Sequence, residues 1–209
     1  MIKVKTTVVG ALQVNCYIAE DTETGNIAII DPGDNSTALK NLVSAKSDKI
    51  KYILLTHGHF DHIGYAKELK ELTKAQVVIS KLDEHLLSDN NLNLALPFFG
   101  TPIPTVTADI TLNDGDEITL GNTVIKYIST PGHTRGSGCY IADNAIFTGD
   151  TLMKMSMGRT DFPTSNNADM LASLKKLYNI SDNYNVYPGH GGTSTLDYEK
   201  NYNPYLNNV

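Results

Sequence analysis

The chain has no tryptophan and only two cysteines, Cys16 and Cys139, in 209 residues. Two thiols in apolar, strand-like surroundings cannot build a disulfide framework. They read as buried free thiols, which fits a reducing compartment. No apolar run nears the roughly 20 residues that cross a bilayer. The first residues, Met1-Ile2-Lys3-Val4-Lys5, alternate charge with apolar side chains and hold no secretory apolar core, so a cytoplasmic location is expected. Runs of like charge are also missing, and the net charge is −6. A nucleic-acid surface needs a basic patch, and adsorption to anionic lipid needs basic clusters, so neither partner is expected. Hydrophobic residues make up 41% and charged residues 19%, ordinary for a globular protein, and residues 1–209 suit one domain.

Six histidines are present, and three of them crowd into Thr56-His57-Gly58-His59-Phe60-Asp61-His62. Ahead of this stretch runs Ile50-Lys51-Tyr52-Ile53-Leu54-Leu55, rich in strand formers. Behind it, from Ile63 to Leu72, apolar residues fall near helical spacing. The cluster therefore lies on a strand-to-helix turn at the carboxyl end of a buried strand, where open α/β architectures bind ligands. Imidazole and carboxylate suit zinc, iron and manganese. His57 and His59 are two apart and can face the same way on extended backbone, sharing one ion. Asp61 and His62 can turn toward a second, and Gly58 lets the chain turn without a Cβ clash. A surface histidine-rich turn without metal would need neither the carboxylate, the preceding strand nor further ligands downstream.

Elsewhere, residues 2–9, 13–20 and 27–30 read as strands of an antiparallel meander. The third ends in Asp31-Pro32-Gly33-Asp34, after which Asn35 or Ser36 can cap a helix to about Ala45. Asp31 fits two roles equally: backing a metal-bound imidazole, or stabilising its own turn. Residues 76–80 read as a strand and Lys81 to Ser88 as a short helix. That helix carries His85 alone among leucines, which reads as an ordinary helix-face histidine and not a ligand. Residues 89–105 form the longest irregular stretch, read as a connector packed on the core, with a binding loop as the alternative. A hairpin turning at Gly121-Asn122, strands at 138–142 and 145–150, a helix at 167–180, a strand at 185–190 and a short tail helix complete the chain.

Three further residues each follow an apolar strand beside glycine: His133 in Pro131-Gly132-His133, Asp150 in Thr148-Gly149-Asp150, and His190 in Pro188-Gly189-His190. Together with the first cluster they make five histidines and two aspartates, enough for two ions sharing one carboxylate.

The set THGHFDH, PGHTRGS, FTGD and YPGHG resembles the metallo-β-lactamase superfamily and spans essentially the whole chain. The resemblance implies an α/β (α+β) fold, a four-layer αββα sandwich. It also implies two divalent metal ions, zinc first, with iron or manganese as alternatives. Carried over by motif, His57, His59 and His133 would hold one ion, Asp61, His62 and His190 the other, and Asp150 would bridge them. The match is nearest to short glyoxalase II-like (hydroxyacylglutathione hydrolase-like) hydrolases. Asp150 at the bridging position, instead of cysteine, and His62 after Asp61 point away from the zinc β-lactamases proper. The C-terminal helical region that grips glutathione in full-length glyoxalase II is not expected here. Gly158-Arg159-Thr160-Asp161 stands where those enzymes place lysine and tyrosine contacts to the tripeptide. Arg159 and Asp161 either touch substrate or, the favoured reading, pair with each other.

The implied activity is hydrolysis of a thioester or ester, with an S-lactoylglutathione-type substrate in scope. Two cations about 3.5 Å apart would lower the pKa of a shared water from about 15.7 to about 7, and the resulting hydroxide would attack the carbonyl. Asp61 would orient it. No separate nucleophile is needed, and the lack of a plausible serine–histidine–aspartate set fits, since all histidines but His85 are committed. The rivals are a mononuclear iron persulfide dioxygenase, a lactonase and, more remotely, a non-catalytic metal-stabilised binding module.

Overall fold

The computed structural model describes residues 1–207. Six strands form the first sheet in chain order: β1 (Ile2–Val9), β2 (Val14–Asp21), β3 (Ile27–Ile30), β4 (Ile50–Leu54), β5 (Gln76–Ser80) and β6 (Ile110–Leu112). The expected meander β1–β2–β3 is antiparallel. From β3 to β6 the strands pair parallel. The rest of the chain builds β7 (Glu117–Leu120), β8 (Thr123–Ser129), β9 (Gly138–Ala142), β10 (Ala145–Gly149), a small hairpin of β11 (Leu152–Met153) and β12 (Ser156–Met157), then β13 (Asn185–Pro188) and β14 (Ser194–Thr195). The second sheet runs β14-β13-β10-β9-β8-β7, with β10 and β13 parallel.

Burial shows why several strands read as unbroken apolar runs. In β3, Ile27 and Ile29 face a core shared with Leu39 and Leu69 from helices α1 (Thr37–Lys46) and α3 (Ala66–Thr73). Ala28 and Ile30, one position out of step, face Leu120, Tyr127, Tyr140 and Phe147 of the second sheet. Side chains alternate across a strand, so a strand covered on both faces must be apolar at every position. The second sheet repeats the pattern. Phe147 points to the first sheet, while Ile146 packs with Leu174 and Leu177 of helix α5 (Asn167–Tyr178). The layers are helix, sheet, sheet, helix, as the resemblance implied, and helix α6 (Leu196–Tyr202) closes the last layer through Leu196.

Ser36 is the cap of α1, its hydroxyl accepting from the Leu39 amide at 3.2 Å. The helix expected from Ile63 begins later, at Ala66, and a separate turn of helix precedes it on the ligand cluster itself. That turn is α2 (Phe60–Ile63), and the Tyr65 amide donates to the Pro32 carbonyl at 2.9 Å where α2 and α3 meet. The irregular 89–105 stretch contains a short helix, α4 (Ala95–Phe99). It is pinned by Asn90, whose side chain accepts from the Ile103 amide at 2.9 Å, and by Asn93, which donates to the Leu86 carbonyl at 3.1 Å. Leu94 and Ala95 are buried against Phe60, so the stretch is a packed connector. Both cysteines are buried and free. Burial pushes the Cys16 thiol up, and Cys139 up to about 12. Among the described residues no helix is long and apolar enough to cross a membrane.

Candidate metal centre

Parallel pairing sends β3 and β4 toward one rim, and β8, β10 and β13 of the facing sheet stop at the same rim. The residues just past these strands meet there. Ligand-type atoms of His57, His59 and His133 lie within 4.8 Å of one another, as do those of Asp61, His62 and His190, and those of His57, His62 and Asp150. Asp150 faces both sets: Oδ2 is 3.5 Å from His133 Nε2 and 3.6 Å from His190 Nε2, and Oδ1 is 3.6 Å from His62 Nε2. All seven residues singled out by sequence therefore converge. His85 is exposed and stands apart from them.

The outer face of each imidazole explains its aim. Asp31 Oδ1 accepts from the Thr56 amide at 2.8 Å, and Oδ2 accepts from the Thr56 hydroxyl at 2.7 Å. That hydroxyl proton is engaged, so Thr56 Oγ1 is left to accept from His57 Nδ1–H at 3.1 Å. His62 Nδ1 lies 3.0 Å from Asp31 Oδ2. His133 Nδ1 meets the Arg159 carbonyl at 2.8 Å, and His190 Nδ1 the Leu12 carbonyl at 3.1 Å. A ring that donates from Nδ1 to an oxygen presents a bare Nε2 inward, the tautomer a metal requires. Of the two roles open to Asp31, the structure shows the first: the residue has φ +50°, but its carboxylate bonds Thr56 and His62 and not its own turn, so it backs His62 directly and His57 through Thr56.

His57 Nε2, His59 Nε2, His62 Nε2 and Asp150 Oδ1 are buried and have no hydrogen-bond partner. Orphaned buried polar atoms are costly, and those of His57, His62 and Asp150, which belong to one cluster, fit a site built for cations. His59 Nδ1 and His133 Nε2 stand 2.9 Å apart. Burial, reinforced by neighbouring imidazoles, pushes His57 and His59 down toward the neutral form that ligates. For His62 burial also acts downward, but Asp61, Asp150 and Asp31 outweigh it and raise the ring to about 10. Burial likewise acts to raise Asp61, yet His62 and His190 hold its carboxyl well below the usual range.

Two glycines are fixed by close approach. A Cβ on Gly58 would sit 2.4 Å from Leu86 Cβ, so this glycine serves packing more than the turn expected of it. A Cβ on Gly189 would sit 2.2 Å from Asp150 Oδ1. Arg159 and Asp161 pair as the favoured reading had it, with Nε and Nη2 each 2.6 Å from a carboxylate oxygen.

Several contributors carry no signal readable in sequence. Asp83 is fully buried. It accepts from the Gly58 amide at 2.9 Å, the Thr134 hydroxyl at 2.7 Å and the Gly136 amide at 2.7 Å, tying the turn between His57 and His59 to the loop after His133. Burial pushes its carboxyl up, and these donors oppose that. Asn15 donates to the Pro188 and Gly191 carbonyls at 3.0 and 2.8 Å, bracketing His190. Phe162 lays its ring 5.3 Å from His59 and 5.7 Å from His133. The site floors a cleft of about 340 Å³, within the size range of small-ligand sites, whose lining includes Leu12, Leu94, Phe98, Met153, Met157 and Phe162. The 89–105 connector thus also supplies part of the wall.

A helix-sheet-sheet-helix sandwich with clustered histidines and aspartates at one rim defines a class of metal-binding proteins. The family model of the metallo-beta-lactamase superfamily matches residues 9–190, and the chain belongs to that superfamily. Its members are mostly metal-dependent hydrolases that bind divalent metals, zinc or iron, through histidine and aspartate. The chain is 34% identical over 203 residues to the hydroxyacylglutathione hydrolase GloC of Haemophilus influenzae, covering 95% of each. Among solved structures it is similar to the BLEG-1 B3 metallo-beta-lactamase, with TM-score 0.91, 32% identity and 98% and 99% of the two chains covered. It is also similar to TTHA1623 in a di-iron-bound form, with TM-score 0.83, 33% identity and 97% and 100% covered. The residues that pointed away from the β-lactamases proper do not remove that likeness in fold.

Proposed function

We propose that the protein hydrolyses a thioester or ester of a small molecule, using two divalent cations, zinc first and iron or manganese as alternatives. The observation that carries this reading is the pair of complete ligand-type sets with Asp150 facing both, at the floor of a ligand-sized cleft. His57, His59 and His133 would hold one cation, Asp61, His62 and His190 the other, and Asp150 would touch both. When bound, the cations supply an acidified water and positive charge for the carbonyl oxygen. The chain's own residues do the rest. Asp31, Thr56 and the Arg159 and Leu12 carbonyls keep four Nε2 atoms aimed inward. Asp61, 3.5 Å from His190 Nε2 and lining the cleft, would orient the attacking oxygen by accepting a hydrogen bond from it. Water oxygen bonds to the acyl carbon, the carbon–sulfur bond breaks, and sulfur leaves with its electron pair and takes one proton. Phe162 and Phe98 form one apolar side of the cleft.

The name of GloC supports a hydroxyacyl thioester as a trial substrate, and that of BLEG-1 adds a β-lactam. The test is to purify the chain without chelator, measure metal identity and stoichiometry, and assay S-lactoylglutathione, a simple thioester, a lactone, a β-lactam and a persulfide side by side. The expected result is thioester or ester turnover, abolished by a chelator and restored by zinc, with two ions per chain. Oxygen consumption on the persulfide with one iron per chain, and no thioester or ester cleavage, would overturn the reading.

A further inference from the structure

The cleft above the ligand cluster has apolar sides and almost no free charge. Phe162 packs against His59 and His133, and its centroid is 5.9 Å from that of Phe98, so an aromatic wall begins where the first ligand set ends. The β11–β12 hairpin adds Met153 and Met157, and the β1–β2 turn adds Leu12. Leu12 and Phe98 are 45% and 55% exposed. Apolar surface gathered round a polar floor is surface that a ligand would cover. Methionine and phenylalanine side chains adapt to a flexible aliphatic or aryl group without demanding one shape.

The one lysine or arginine in the lining is Arg159. Its guanidinium is held by both oxygens of Asp161 and lies 4.3 Å from the centre of the Phe162 ring. Asp161 takes one edge of the guanidinium, Nε and Nη2, and its carboxylate neutralises the charge, so Arg159 draws a second carboxylate less than a free arginine would. A carrier with several carboxylates would meet Asp161 beside the one cation it could use.

Resting on the hydrolase reading, we propose that this cleft selects its substrate by an apolar acyl group, aliphatic or aryl, seated on Phe98, Phe162 and Met157. Charge on the thiol carrier plays no part in the selection.

The test uses the full chain loaded with its metal. N-acetylcysteamine thioesters from acetyl to octanoyl should show kcat/KM rising about two- to fourfold per added methylene until the cleft is filled. With the same acyl group, a glutathione carrier should give no more than the neutral one. Phe98→Ala, an exposed position, should flatten the chain-length gradient. Asp161→Asn should free Arg159 and raise kcat/KM for the glutathione thioester about two- to fivefold. Calorimetry with S-alkyl-N-acetylcysteamine thioethers, which have no scissile carbonyl, should show Kd falling by a similar factor per methylene. A thioether gradient without thioester cleavage would sink the hydrolase reading and leave the cleft preference standing. Cleavage with a flat thioether profile, or a tenfold advantage for glutathione over the neutral carrier, would overturn the preference and leave the hydrolase.

Discussion

The seven converging side chains come from two unlike regions. His57, His59, Asp61 and His62 sit on one short turn after β4, whereas His133, Asp150 and His190 arrive singly from the ends of β8, β10 and β13. In the first region the covalent chain sets the spacing, and a single carboxylate, Asp31, backs two imidazoles directly or through Thr56. In the second, position depends on strand register and on carbonyls lent by distant segments, Arg159 for His133 and Leu12 for His190. A local set survives imperfect packing around it. A dispersed set exists only when the second sheet is correctly paired and docked on the first. Asp150 and Asp83 join the two regions, one through the ligand cluster and one behind it.

The sharpest break is Asp150→Ala. It removes the carboxylate facing both sets, and kcat/KM should fall by about a thousandfold or more while circular dichroism stays native. Asp31→Ala strikes the local region alone. The Thr56 amide and the His62 Nδ1 lose their acceptor, which costs about 1–3 kcal/mol for each buried donor left unpaired. Metal affinity should fall about 10- to 100-fold, read by competition with a chromogenic chelator, together with a lower Tm. Asp83→Ala loosens the tie between regions behind the first ligand set. It should weaken binding of the first ion by about tenfold, and Asp83→Asn should lose less because one oxygen still accepts. A fall at Asp83→Ala as large as at Asp150→Ala would mean that Asp83 does more than hold the two loops.

The smallest effect lies at the far end of β2, away from the site. Asp21 accepts from the Thr24 amide and hydroxyl at 2.8 and 2.7 Å and from the Thr123 hydroxyl of the other sheet at 2.8 Å. The Thr24 hydroxyl, opposed by burial and aided by the Thr24 amide and Thr123, holds this carboxyl well below the usual range. A depressed carboxylate stabilises the fold above its unfolded pKa of about 3.9, and that contribution is lost as pH falls through and below this value. Asp21→Asn should therefore cost about 1–3 kcal/mol at pH 7 in urea unfolding, and the cost should shrink steadily as pH falls below about 4. Metal occupancy should not change.

The local region was legible almost entirely. Strand periodicity before Thr56 and the histidine spacing after it placed the turn, and Ser36 was a readable cap. The dispersed ligands were legible as residues, since each follows an apolar strand beside glycine, but their meeting was only implied by resemblance. Asp83 sits in a turn just before a short 3-10 helix and carries no motif, so nothing in its neighbours announces that it reaches Gly136. The Arg159 and Leu12 carbonyls could not be read at all, because every residue has a carbonyl. Met153 and Met157 lie on a hairpin of two-residue strands, too short for periodicity to show.

The order of amino acids alone determined which groups can ligate, which strands lie buried on both faces, and that four donors share one turn, because spacing along a chain and side-chain alternation are local properties. Tertiary structure decided where the imidazole Nδ1 atoms find their acceptors, which carboxylate faces both sets, and what lines the cleft. Those outcomes depend on backbone atoms and strand ends brought together across two sheets, and such proximity is written in no single segment of the chain.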